Sequence, residues 1–367
     1  MDSFIGGLVT MTAFIFMLGL LVFVHELGHF LTARRFGIKV DEFGFGYPPR
    51  AAVLFEHDGV KYTLNWLPIG GFVRFGGEGE EIYGVGSLSM AAPWKKILVL
   101  LAGPLMNLVL TFVIFAGLIM VNGATTVDTV IDTVYEDTPA EAAGFASGDR
   151  FVEFGGVTIE SGDTRSVTTV AEENAGDPTE VVVERGGELV TLEVVPGPWS
   201  TDDGVERVGL GILYENEVEQ VGPLQAIGMG FTRTFVVLGV FMDSIGQLVG
   251  SLFGQSEPVE GGVAGVVGIA RGTGEIIERD GFTGFWYWTA LISLNLFVIN
   301  LLPIPALDGS HIMFSLIEII RRGKKIPPEK EAMVHAVGFI MVLGLMVVVT
   351  ISDVAQWISG QPVLPGG

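Results

Sequence analysis

From roughly Phe4 to Leu31 the chain is almost wholly apolar, with no charged residue from Phe4 to Val24, and near the end of this run stands His25-Glu26-Leu27-Gly28-His29. An apolar run of this length reads as a membrane-spanning helix, because about 20 residues cover the roughly 30 Å of bilayer hydrocarbon. An acidic side chain inside such a helix costs about 2.5 to 3.5 kcal/mol on insertion scales, so Glu26 needs a partner. Residues four apart share a helix face, so His25 and His29 can hold one zinc ion while Glu26 works on water beside it. HExxH is common by chance in soluble chains, and its setting in an apolar helix is what gives it weight here. A secretory signal peptide is the competing reading of this segment. The apolar stretch is too long for one, and no small-residue cleavage pattern follows it.

A second string, Asn300-Leu-Leu-Pro303-Ile-Pro305-Ala-Leu-Asp308-Gly309, closes another apolar stretch that begins near Phe285. Alone it reads as a helix end with a proline-rich exit turn. Paired with HELGH, it resembles the second motif of the site-2 protease family of intramembrane zinc metalloproteases, whose HExxH and NxxPxPxLDG elements build one site. The spacing from Asn300 to Asp308 matches that motif without a gap. The resemblance implies Zn2+ held by His25, His29 and Asp308, with Glu26 as the catalytic base. It also implies that Asn295 and Asn300 bind the substrate backbone, the competing role for both being helix–helix hydrogen bonding. His311 is expected to be an ordinary loop histidine rather than a second-layer partner of the metal.

The resemblance covers nearly the whole chain. Phe43-Gly44-Phe45-Gly46 with Leu67-Pro68-Ile69-Gly70-Gly71-Phe72-Val73 looks like the family's cytoplasmic-side β-hairpin, and Ala102-Gly103-Pro104-Leu105-Met106-Asn107 looks like the second helix of its bacterial stress-response branch. The stretch from Thr138-Pro139 to Gly148-Asp149-Arg150 resembles the PDZ signature, in which a short helix opens after Pro and a Gly-Asp turn leads into a strand. At Gly261-Gly262-Val263 the chain departs from relatives, which carry Gly-Pro before the small-residue run; only local loop geometry is affected.

The 367 residues are 49% hydrophobic, with a mean hydropathy of +0.54, which fits several membrane spans plus a soluble insert. The absence of cysteine removes disulfides and thiolate metal sites, leaving histidine and carboxylate donors. Most of the net charge of −22 lies between Asn122 and Gly222, a solvated acidic face that excludes nucleic acid as a partner. Basic residues cluster instead at Arg34, Arg35, Lys39, Arg50, Lys61, Arg74, Lys95 and Lys96, and again from Arg321 to Lys330, which places both stretches in the cytoplasm.

The expected architecture is a polytopic α-helical membrane protein with four transmembrane helices, a cytoplasmic-side β-hairpin and an inserted β-rich PDZ domain. The spans are Phe4 to Leu31, Ile97 to Val121, Phe285 to Leu302 and Val334 to Ile351, with Phe285-Trp286-Tyr287-Trp288 as an interfacial aromatic belt. Asp308 must reach the inner end of the first span, so the third span runs inward, and Ala226 to Phe253 then lies on or re-enters the outer face. A fifth span there is the alternative. The domains expected are a first membrane half (1–122), an extracytoplasmic PDZ-like domain (123–221), an amphipathic linker (222–284) and a second membrane half (285–367).

The activity expected is cleavage of the transmembrane segments of single-span membrane proteins, such as anti-sigma factors or remnant signal peptides, by a multi-pass protease of the cytoplasmic membrane. Its partners would be those substrates, membrane lipid, and a peptide or C-terminus on the PDZ domain, which serves equally well as a steric filter. A catalytically silent PDZ scaffold is the runner-up, and the complete set of zinc-type residues argues against it. A protease of the kind that trims prenylated proteins would want a second glutamate motif, and none follows.

Overall fold

The computed structural model describes residues 2–76, 87–160, 163–200, 206–252, 254 and 264–359. The chain divides into two compact units, one formed by residues 1–118 with 227–367 and the other by 119–226.

In the first unit, α1 (Asp2–Arg35) carries the long apolar run as one uninterrupted helix and ends on Arg34 and Arg35, cations that suit its negative dipole end. An antiparallel hairpin follows, β1 (Val40–His57) and β2 (Val60–Phe75). Its turn is Asp58-Gly59, both at positive φ (53° and 74°), the backbone that a two-residue hairpin turn demands. The two stretches expected to form a hairpin pair as Phe43 with Val73, Gly44 with Phe72 and Phe45 with Gly71. Glu42 is buried at the base of β1. Burial would raise its carboxyl, but hydrogen bonds from Arg50 and Thr63 and the charges of Arg50 and Arg74 hold it below its ordinary value. Then α2 (Pro93–Asn122) runs through Pro104.

The second unit is built of β3 (Ala124–Val134), α3 (Pro139–Ala143), β4 (Arg150–Phe154), β5 (Val157–Thr158), α4 (Thr164–Glu173), β6 (Thr179–Arg185), β7 (Glu188–Val194), β8 (Gly197–Ser200), β9 (Glu206–Gly209) and β10 (Ile212–Glu219). Its antiparallel sheet has the order β10-β3-β4-β6-β7, with β5 against β4, and β8 pairs with β9 separately. The alternation in β6 sends Val181 and Val183 inward onto Phe151, Phe154 and the Val167–Val170 face of α4. Gly186-Gly187, at φ 63° and 88°, makes the tight turn to β7. The helix after Thr138 forms where the sequence placed it, with Thr138 accepting from the Glu141 amide and Gly144 closing it in the left-handed region, and β4 opens at Arg150.

Back in the first unit come α5 (Pro223–Leu252), α6 (Val266–Leu301), α7 (Asp308–Ile320) and α8 (Pro328–Ile358). Five helices among the described residues are long and apolar enough to cross a membrane, Pro223–Leu248 being one, where four spans were expected. The stretch expected as a linker (222–284) is largely helical. Within it Thr234 donates to the Gly230 carbonyl at 2.8 Å, and the Arg233 guanidinium lies over the Tyr287 and Phe115 rings at 5.5 and 5.8 Å. The third segment begins at Val266 rather than Phe285, and its helix is interrupted at Gly281 (φ 60°, ψ −139°). The expected aromatic belt packs inward in part, with Phe285 and Trp286 each 6.4 Å from the Phe16 ring of α1. Gly261 to Val263, the departure from relatives, lie outside the described residues.

Candidate active site

The helical spacing of His25 and His29 turns both rings to one side of α1, 4.7 Å apart and edge to face. Asp308 meets them from the first turn of α7, not from the end of the apolar helix. Its Oδ2 lies 3.0 Å from His25 Nε2 and 3.4 Å from His29 Nε2, and the two Nε2 atoms are 3.1 Å apart. Two local features bring Asp308 there. Pro303 and Pro305 end the helix, and Gly309 lets α7 close on the end of α6, where a Cβ would overlap the Leu302 carbonyl oxygen. Ala306, at φ 74°, completes the turn, its amide donating to His335 Nδ1 at 3.2 Å.

The proton positions fix what this cluster can bind. His29 Nδ1 is 2.8 Å from the Val99 carbonyl, which can only accept, so Nδ1 carries a proton and Nε2 is the nitrogen left to bind a metal. Asp308 Oδ2 is buried yet makes no hydrogen bond. Acceptor atoms thus converge on one point, an arrangement that a cation reconciles. In a tetrahedral zinc site with bonds of about 2.0 to 2.2 Å the ligand atoms stand ~3.3 Å apart, close to the spacing seen. The residues present therefore fit zinc held by His25, His29 and Asp308. Glu26 is partly buried on the next position of α1.

Contacts from α2 complete the site. Gly28 of α1 faces Ala102, and Gly103 faces the two rings. A Cβ at Gly103 would overlap His29 Nε2 and come within 2.8 Å of His25 Nε2. Asn107, fully buried, has its amide nitrogen 3.3 Å from His25 Nδ1 while its Oδ1 has no hydrogen-bond partner. With His25 Nε2 turned to a metal, Nδ1 bears the proton, and a half-turn of the amide offers it Oδ1. The Asn107 backbone is pinned by Ser293 of α6, whose hydroxyl donates to its carbonyl at 2.8 Å. Gly103 and Asn107 sit four apart on one helix face, the signal available in the sequence; the Val99 carbonyl has none.

Asn295 and Asn300 lie on α6. Asn295 Oδ1 is buried with no hydrogen-bond partner, and Asn300 is half-buried.

Comparison with known proteins agrees with this geometry. Residues 13–345 match the family model for peptidase family M50. The chain is 30% identical to the zinc metalloprotease RasP of Oceanobacillus iheyensis, over 95% of this chain and 99% of that one. It is 29% identical to the zinc metalloprotease RasP of Geobacillus kaustophilus, over 94% and 97% of the two chains. A cysteine-free chain with long apolar helices, two histidines and an aspartate converging on one point, and a family match across most of its length belongs to peptidase family M50, and it is a zinc metalloprotease.

Proposed function

We propose that the protein cleaves transmembrane segments of single-span membrane proteins, with His25, His29 and Asp308 as zinc ligands and Glu26 as the general base. The observation that carries this reading is the convergence, within 4.8 Å, of ligand atoms from two elements remote in sequence, one of them inside a long apolar helix. Bound zinc supplies a Lewis acid for the scissile carbonyl and lowers the pKa of water to about 7. Glu26 takes the proton from the attacking water and passes it to the leaving amine. A helical substrate hides its amides, so the segment being cut unwinds and its backbone groups need partners. β2 is suited to offer them. Its Gly70 and Gly71 lie against Val22 and Phe23 of α1, a Cβ at Gly71 meeting the Phe23 Cα at 3.5 Å. Asn295 and Asn300 serve the same end from α6.

Four crossings serve this chemistry. Asp308 meets the inner end of α1, so α6 runs inward, and the break at Gly281 separates a charged half (Arg271, Glu275, Glu278, Arg279, Asp280) from Phe282–Leu301, which has no charged residue and is about 30 Å long at 1.5 Å per residue. The uncharged half matches the hydrocarbon, which leaves α5 on the outer face. The acidic unit 119–226 then faces outward as a PDZ-like domain that binds a peptide end or excludes bulky substrates, in a multi-pass protein of the cytoplasmic membrane.

The test is metal content by mass spectrometry and cleavage of a model single-span substrate, for wild type and Glu26→Gln purified in detergent. One zinc per chain in both with cutting only in wild type is the expected result. A Glu26→Gln protein that still cuts overturns the assignment.

A further inference from the structure

Four of the five histidines fall in two clusters, and only one of these is the catalytic site. The other joins His311, on the first turn of α7, with Glu331 and His335, four apart at the start of α8. Glu331 Oε1 lies 3.6 Å from His311 Nδ1 and 4.0 Å from His335 Nε2, and the two imidazoles stack at 4.1 Å. His335 Nε2 is buried with no hydrogen-bond partner. The first of these spacings exceeds the ~3.3 Å edge of a tetrahedral zinc site slightly and the second by over half an ångström, distances that side-chain rotation closes. His311 is 45% exposed, leaving room for a solvent ligand. Lys96 is the nearby cation, and it is paired with Glu318 at 3.1 Å.

We propose that His311, Glu331 and His335 form a second, weaker site for a divalent metal of the zinc class, and that its occupation opposes catalysis. The linkage runs through His335. Its Nδ1 accepts from the Ala306 amide, so Nε2 carries the proton in the metal-free cluster. A metal on Nε2 moves that single proton to Nδ1, because a metal-bound neutral imidazole keeps its one proton on the other nitrogen, as a donor. Nδ1 then turns from acceptor to donor and faces an amide that also donates. The Ala306 hydrogen bond is lost at the turn that presents Asp308, at a residue already held at positive φ and packed under α8, where a Cβ at Gly338 would overlap Pro305. Metal in the second site therefore loosens the third ligand of the first.

The test titrates zinc into chelator-stripped, full-length protein in detergent against a chromophoric chelator. Wild type should take up two zinc ions with separable affinities, His311→Ala and Glu331→Gln one each, and His25→Ala should keep the weaker site. One ion in wild type, or two in both His311→Ala and Glu331→Gln, overturns the site. The inhibitory linkage rests on the protease reading and is measured separately: cleavage by wild type should fall at zinc concentrations above saturation of the tight site, and Glu331→Gln should need at least tenfold more zinc for the same loss. Equal inhibition of both overturns the linkage while leaving the metal count to stand or fall by itself.

Discussion

In the β unit the Asp149 carboxylate is fully buried and receives Arg185 through Nε at 2.6 Å and a second guanidinium nitrogen at 2.7 Å, with the Ala146 amide at 2.9 Å. In the helical unit the Asp308 side chain is 17% exposed, yet its buried Oδ2 makes no hydrogen bond and faces two imidazole nitrogens. Burying an ionised carboxylate is expensive unless it is paired. The protein completes the pairing at Asp149 from its own side chains and leaves it open at Asp308. Polar burial that is fully satisfied marks structure, and polar burial left short of a cation marks a site that needs its metal.

That contrast can be broken in four ways. The largest effect is expected from Glu26→Gln, which should lower turnover by about 10²- to 10⁴-fold with zinc content unchanged, read by single-turnover cleavage and metal analysis. Next, Gly103→Ala should cost the protein its zinc, because the added methyl occupies the place of the His29 ring; a zinc-replete Gly103→Ala protein would mean that α2 does not pack on the ligands as described. Asn107→Ala should weaken zinc binding by about 10- to 100-fold, the cost of losing a partner that orients a ligand, and Asn107→Asp should restore much of it by accepting from His25 Nδ1. Chelator competition separates the two.

The smallest effect belongs to the satisfied carboxylate. Arg185 is 39% exposed, so solvent screens the pair, and Asp149→Asn should destabilise the protein by about 1 kcal/mol in thermal unfolding. Burial pushes the Asp149 carboxyl up, but the Arg185 and Ala146 hydrogen bonds and the Arg185 charge outweigh it and hold it below the ordinary value. Because the folded value lies under the unfolded one of about 3.9, this stabilisation is fully present above that pH and disappears as the pH falls through the folded value. Loss of the wild-type advantage over Asp149→Asn between pH 7 and 5 would contradict the assignment.

Much of the fold can be read from the chain because its signals are local. Apolar runs long enough for a bilayer mark α1, α2 and α8, Asp58-Gly59 and Gly186-Gly187 mark the hairpin turns, and Thr138-Pro139 marks the start of α3. The region from 222 to 284 is harder to read for the opposite reason. Its glycines and charged residues suggest a surface-lying linker, and the rings beneath Arg233 come from α2 and α6, which no local pattern announces.

The sequence by itself determined the ligand types and two of their relative positions, since HExxH spacing fixes a helix face and the lack of cysteine leaves only imidazole and carboxylate donors. Tertiary structure decided that Asp308 arrives on α7, that Gly103 makes room for the rings, that the Val99 carbonyl sets the tautomer of His29, and that His311 and His335 share Glu331. The reason is physical. Helix periodicity is written in side-chain order, whereas a backbone carbonyl, a close approach between helices or a meeting of residues from separate helices has no letter of its own and exists only once the chain has packed.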